Sequence, residues 1–119
     1  MARIIHKEGQ SRLECIEGNE IELFTRVKLD DKYNFINTEG QLVSNQWFDG
    51  VQIFHEGFAI VELDGKWNFI NTEGQVLSQE WFDGAWTFYG GFAIVKLNGK
   101  YNFINPSGQI LSQQWFNEA

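Results

Sequence analysis

A single cysteine, Cys15, a single proline, Pro106, and a single methionine stand in 119 residues. One cysteine allows no intramolecular disulfide, so a packed core must hold the fold by itself. Positive charge is also scarce: nine Lys and Arg face sixteen Asp and Glu, for a net charge of −7. Sequence-independent binding of nucleic acid needs clustered cations that displace counterions, and an anionic membrane surface needs the same. Neither partner is expected. No apolar run approaches the roughly 20 residues of a membrane span. The stretch Met1–Glu8 has no apolar h-region, so a cytoplasmic setting is expected. One cysteine and two histidines, His6 and His55, make no zinc-ligand pair. Gly90-Gly91 lacks the Lys and the helix of a phosphate loop. No metal, cofactor or catalytic residue is expected, and the single-copy candidates His6, Cys15 and His55 have no spacing that joins them as nucleophile and base.

What the sequence has is repetition. Phe58–Phe82 returns at Phe92–Phe116 with 18 of 25 positions identical, and 16 of 25 match at Phe24–Phe48. The offset is 34 residues both times, as in Lys32, Lys66, Lys100 and Trp47, Trp81, Trp115. An internal period of this length marks a repeat architecture. The copies divide the chain into 24–57, 58–91 and 92–119, with 1–23 as N-terminal capping strands, because the ends of a stack must differ from its middle. Within 1–23, strands are expected at Arg3–His6, Ser11–Ile16 and Glu20–Leu23. The helical 34-residue repeat is excluded by Gly and Asn in every copy and by clustered β-branched and aromatic residues.

Each copy reads as a β-hairpin. Phe58–Leu63 and Lys66–Asn71 flank Asp64-Gly65, a dipeptide suited to a type I′ turn. Asn98-Gly99 serves equally in copy three, whereas Asp30-Asp31 in copy one calls for a different turn. A two-residue loop pairs Leu63 with Lys66, Val61 with Asn68 and Ala59 with Ile70. The face with Phe58, Ile60, Trp67 and Phe69 is the heavier one and should be core. The opposite face (Ala59, Val61, Leu63, Ile70) is half apolar, so each hairpin should be covered on both sides by its neighbours. Arg26 stands where Ile60 does, which places copy one near an end, with its head group in water. A third strand is expected at Gln75–Ser78, and a bend with a short fourth strand after Trp-Phe-Asp. The fold class is all-β: tandem hairpin or meander repeats in a stacked array, with a closed three-fold β-trefoil-like domain as the alternative. The terminal Trp115-Phe116 either belongs to a cut array or packs against 1–23 and closes the domain.

Gly91-Phe-Ala-Ile-Val-Lys-Leu-Asn-Gly-Lys-Tyr-Asn-Phe-Ile-Asn-Pro-Ser-Gly-Gln resembles the bacterial WG-repeat family. Phe54, Gly57, Ala59, Val61, Gly65, Lys66, Trp67, Phe69, Ile70 and Gly74 carry the likeness in the middle copy. The Trp-Gly pair of the family reads Tyr33-Asn34, Trp67-Asn68 and Tyr101-Asn102, and Asn would preserve a positive φ there. The resemblance implies a β-rich interaction module without catalytic residues. Aromatic hairpins of choline- and glucan-binding solenoids are similar but have a period nearer twenty residues. Gln79-Glu80-Trp81 and Gln113-Gln114-Trp115 are similar to the Gln-x-Trp of ricin-type trefoil lectins, whose repeat is longer.

A non-enzymatic module that binds a protein partner is therefore expected, with carbohydrate or cell-wall binding by aromatic stacking as the alternative. Trp47, Trp81 and Trp115 form a ladder that core packing explains and that a stacking surface would also use. Trp86 and Tyr89 stand where linker one has Gln52 and His55. Positions that vary at one place in a scaffold are where it specialises, so these four are the contact candidates. Self-association through edge strands is the remaining expectation.

Overall fold

A computed structural model of the protein describes residues 13–15 and 23–118. Among the described residues nine strands form: β1 (Leu13–Cys15), β2 (Thr25–Leu29), β3 (Lys32–Ile36), β4 (Gly50–Val51), β5 (Phe58–Leu63), β6 (Lys66–Asn71), β7 (Gly84–Ala85), β8 (Ala93–Leu97) and β9 (Lys100–Ile104). The described residues contain no helix, and the fold is all-β. The strands make three antiparallel sheets, β1-β2-β3, β4-β5-β6 and β7-β8-β9.

Turn chemistry sets each hairpin. Asp64 and Gly65 take φ of 54° and 78°, and Asn98 and Gly99 take 55° and 79°, the left-handed pair that a type I′ turn needs. In the first hairpin only Asp30 is left-handed, at 57°, so Asp30-Asp31 uses a different turn. The register of the second hairpin is the one the two-residue loop dictates, from Leu63↔Lys66 to Phe58↔Asn71. The linker supplies the third strand of the following sheet, through Gly50↔Glu62 and Val51↔Val61. Leu13–Cys15 does the same for the first sheet, inside the expected strand Ser11–Ile16, with Cys15 opposite Val27. Structural units thus straddle the sequence copies. Arg3–His6, Glu20–Glu22 and any pairing of those segments lie outside the described residues.

After each hairpin the chain turns back on it. Trp67 and Phe82 exchange backbone hydrogen bonds of 2.8 Å, and Tyr33–Phe48 and Tyr101–Phe116 repeat the pairing. The expected strand Gln75–Ser78 does not form; a lone bridge, Ile70↔Val76, takes its place. The reason is local. Asn71 Oδ1 accepts from the N–H groups of Glu73 and Gln75, closing an Asx turn. Asn68 takes both the N–H and the C=O of Ser78, groups a ladder would have used.

The sheets stack face to face. Phe35 of the first sheet packs with Ala59, Val61 and Ile70 of the second. Ile60 and Phe69, on the other face of the second sheet, pack with Ala93, Val95 and Ile104 of the third. Both faces of the middle hairpin are therefore core, the lighter as fully as the heavier. The extents are 51 × 28 × 20 Å, the shape of a linear array and not of a three-fold trefoil. Arg26 corrects an expectation. It lies on the face turned toward the second sheet, half-buried, with its Nε buried and without a hydrogen-bond partner. The opposite face carries a core cluster of its own, Val27 and Ile36, each fully buried, with Trp47 packed against them. Trp115 packs on the cluster between the second and third sheets.

Candidate functional site

Each joint between sheets is built the same way. The linker Phe inserts its ring between two phenylalanines of the preceding hairpin. Phe54 lies 4.6 Å from Phe24 and 4.7 Å from Phe35, and Phe88 lies 4.5 Å from Phe58 and 5.0 Å from Phe69. The Asp of Trp-Phe-Asp ties two hairpins together. Asp49 pairs with the Lys32 ammonium of one hairpin and accepts from the turn N–H of Asp64 in the next, at 2.8 Å. Asp83 does so with Lys66 and the N–H of Asn98. Linkers also bind each other. Glu56 accepts from the N–H groups of Gly90 and Gly91 at 2.9 and 3.1 Å.

These bonds lower the carboxyl pKa values. The hydrogen bond from Lys32 chiefly, then the N–H of Asp64, holds Asp49 below the ordinary range. Lys66 and the N–H of Asn98 do so for Asp83, and the N–H groups of Gly90 and Gly91 for Glu56. A carboxyl whose pKa is depressed on folding stabilises the fold above its unfolded value, about 4, and that contribution is lost as pH falls through the folded value. The urea midpoint should therefore hold from neutral pH down to about 4 and decline below it. Glu56→Gln should lower the midpoint at neutral pH and flatten part of the acid decline; an acid limb unchanged by that substitution would remove Glu56 from the account.

Sequence-expected residues fall into separate places. His55 Nδ1 contacts the carbonyl oxygen of Phe88 at 2.8 Å, and its ring lies 4.9 Å from Tyr89, which is otherwise exposed. Those two linker positions meet each other across the joint. Gln52 is exposed, its backbone N–H donating to the carbonyl oxygen of Ile60. Trp47, Trp81 and Trp115 are half-buried, one against each core cluster. Trp86 stands apart from the other three. Among the described residues no group of three His, Cys, Asp and Glu could hold a metal ion.

Trp86 lies on the outer face of the third sheet. Strand alternation puts Ile94, Lys96, Tyr101 and Phe103 on that face. The second-sheet equivalents of Ile94 and Phe103 are closed, Ile60 at 3% and Phe69 at 0% exposed, whereas Gln52, the equivalent of Trp86, is exposed as Trp86 is. On the third sheet Trp86 is 46% and Phe92 44% exposed, and Ile94 and Phe103 are only half-buried. The Phe92 and Phe103 rings meet edge to face at 5.5 Å. Trp86 and Tyr101 diverge at 46° with centroids 5.8 Å apart, and the Lys96 ammonium sits 5.6 Å over Tyr101. With Ile94, Asn117 and Glu118 the two rings line an open cleft of about 370 Å³. Composition alone could not single out this face, since all three hairpins carry it.

The geometry defines a tandem β-repeat protein whose hairpin units stack sheet on sheet. Its family follows: the model of the WG containing repeat matches residues 35–67 and 69–101, more than half of the chain, and the chain belongs to that family. The family's Trp-Gly glycine is replaced by Asn34, Asn68 and Asn102, which keep ordinary strand φ rather than the positive φ expected of them. No curated protein matches the chain significantly. Among solved structures, a protein of unknown function from Bacteroides caccae is similar, with 17% identity and a TM-score of 0.40. The match covers 89% of this chain and 46% of that one, so the chain spans less than half of its length.

Proposed function

We propose that this protein is a non-catalytic interaction module that binds a protein partner through the outer face of its third sheet. One observation carries the reading: the face closed at Ile60 and Phe69 in the second sheet is only half closed at Ile94 and Phe103 in the third, beside Trp86 and Phe92, each nearly half exposed. Exposed aromatic clusters on a rigid scaffold are the usual anchors of protein interfaces. The Trp86–Tyr101 cleft, with Asn117 and Glu118 at its lip, favours a pyranose ring as the second reading.

Immobilised protein should capture a partner from cell extract. Trp86→Ala with Phe92→Ala should lose the capture, and Gln52→Ala should keep it. Capture unchanged by the double substitution would overturn the reading. A glycan panel that quenches tryptophan fluorescence in the wild type but not in Trp86→Ala would replace it with the sugar reading.

A further inference from the structure

We propose that the flank built by the return loops binds an extended, neutral polysaccharide laid along the array. This flank is separate from the third sheet's outer face, and the inference does not rest on the reading of that face.

The return loops make one continuous surface. Each lies on the same edge of its sheet, beside β3, β6 or β9, held by the bridges Tyr33↔Phe48, Trp67↔Phe82 and Tyr101↔Phe116. The linker strands β4 and β7 take the opposite edge. Successive loops touch: a Cβ on Gly74 would meet the carbonyl oxygen of Val43, and one on Gly108 that of Leu77. Residues at equivalent loop positions therefore run in rows along the array, one per repeat.

The chemistry of these rows suits a neutral ligand rich in hydroxyls. Residues 41–48, 75–82 and 109–116 hold one charged side chain, Glu80, in 24 positions, in a chain that is 21% charged. Without Lys or Arg in these stretches, a phosphate, sulfate or uronate finds no cation to pair with. Asn45, Gln79 and Gln113 form one exposed row. Among the described residues their side-chain amides make no hydrogen bond. Each keeps a donor and an acceptor for a ligand, the pair that two neighbouring hydroxyls require. Two residues further on, Trp47, Trp81 and Trp115 form a second row. Each indole packs against a core cluster and leaves part of its ring open. An open aromatic face suits the C–H face of a pyranose.

The pitch selects the shape of the ligand. Sheets stacked face to face lie about 10 Å apart, and an extended β-1,4-linked chain of pyranoses advances by about the same length every two rings. Each repeat thus meets one disaccharide in the same orientation, and three repeats span about six rings. An α-linked chain coils and loses this register after its first contact.

Calorimetric titration of the full chain with β-1,4-linked glucose oligosaccharides of increasing length tests this. Affinity should rise with each added disaccharide, by about a hundredfold in all, and level off at about six rings. Asn45→Ala, Gln79→Ala and Gln113→Ala together should weaken binding of the six-ring oligosaccharide by at least about tenfold. All three sites are exposed, and a thermal melt should show the triple variant as stable as the wild type. Trp86→Ala should bind like the wild type, and α-1,4-linked oligosaccharides should show no gain with length. No binding of any β-linked oligosaccharide, equal affinity at two rings and six, or binding indifferent to the triple substitution overturns the proposal. Loss of binding in Trp86→Ala overturns it as well and places the sugar in the Trp86–Tyr101 cleft. Capture of a protein by the third sheet's face is read separately and survives any of these failures.

Discussion

Gly74→Ala should lower the unfolding free energy by about 3–5 kcal/mol, whereas Gly65→Ala should cost only about 1–2 kcal/mol. Both glycines are left-handed, with φ of 82° and 78°, so an L side chain strains the backbone equally at either. Their surroundings differ. A Cβ on Gly65, at the hairpin tip, meets nothing within 4 Å. A Cβ on Gly74 would lie 2.0 Å from the carbonyl oxygen of Val43 and 2.8 Å from the Cα of Ser44. Those atoms are backbone of the preceding repeat's return loop, with no rotamer to yield. The clash therefore pushes one repeat off the next. Stacked repeats owe their cooperativity to the joints between neighbours, so the urea transition of Gly74→Ala should broaden as well as shift. Gly108 meets Leu77 O at 2.6 Å in the same way and should behave likewise, more mildly. Equal urea midpoints for Gly74→Ala and Gly65→Ala would show that close approach between loops does not hold the array.

The hairpins were legible in the sequence because their causes are local. Asp64-Gly65 fixes a two-residue turn, the turn fixes the register, and alternation then assigns Ile60 and Phe69 to one face and Val61 and Ile70 to the other. What was not legible depends on bonds to backbone far along the chain. Asp49 reads as one acid among sixteen until it is placed between Lys32 and the Asp64 N–H. Asn68 reads as a tolerant replacement for glycine until its amide is seen against Ser78 and Glu80. A signal for the linker contact was present: Gly90 of copy two stands where copy one has Glu56, and the bare N–H groups of Gly90 and Gly91 are what the Glu56 carboxylate binds. The difference between copies was complementarity between neighbours. Arg26 misled because its residue type pointed to an end while the order of stacking turned its face inward. Which hairpin ends with an open face depends on the direction of stacking, which the 34-residue period leaves undetermined.

The buried asparagines carry the second large effect. Asn34, Asn68 and Asn102 are each fully buried, and their amides bond to backbone alone. Asn68 Nδ2 donates to the carbonyls of Ser78 at 2.8 Å and Glu80 at 3.2 Å; Oδ1 accepts from Phe69 N–H at 2.7 Å and Ser78 N–H at 3.3 Å. One side chain thus satisfies four backbone groups where the return loop leaves the sheet. Stranding a buried donor or acceptor costs about 1–3 kcal/mol, and not every group here can find water. Asn68→Ala should therefore destabilise by about 3–4 kcal/mol in urea denaturation. Asn68→Asp separates bonding from volume. Aspartate has the same shape and keeps both acceptors for the Phe69 and Ser78 N–H groups. It replaces the amide donor with a second oxygen facing the Ser78 and Glu80 carbonyls, and it buries a charge. At neutral pH it should cost at least as much as alanine. Protonation restores one donor, so the deficit relative to wild type should narrow as pH falls through the raised pKa of that carboxyl. If Asn68→Asp instead matched wild type at neutral pH while Asn68→Ala did not, the residue would be filling space and not capping the loop.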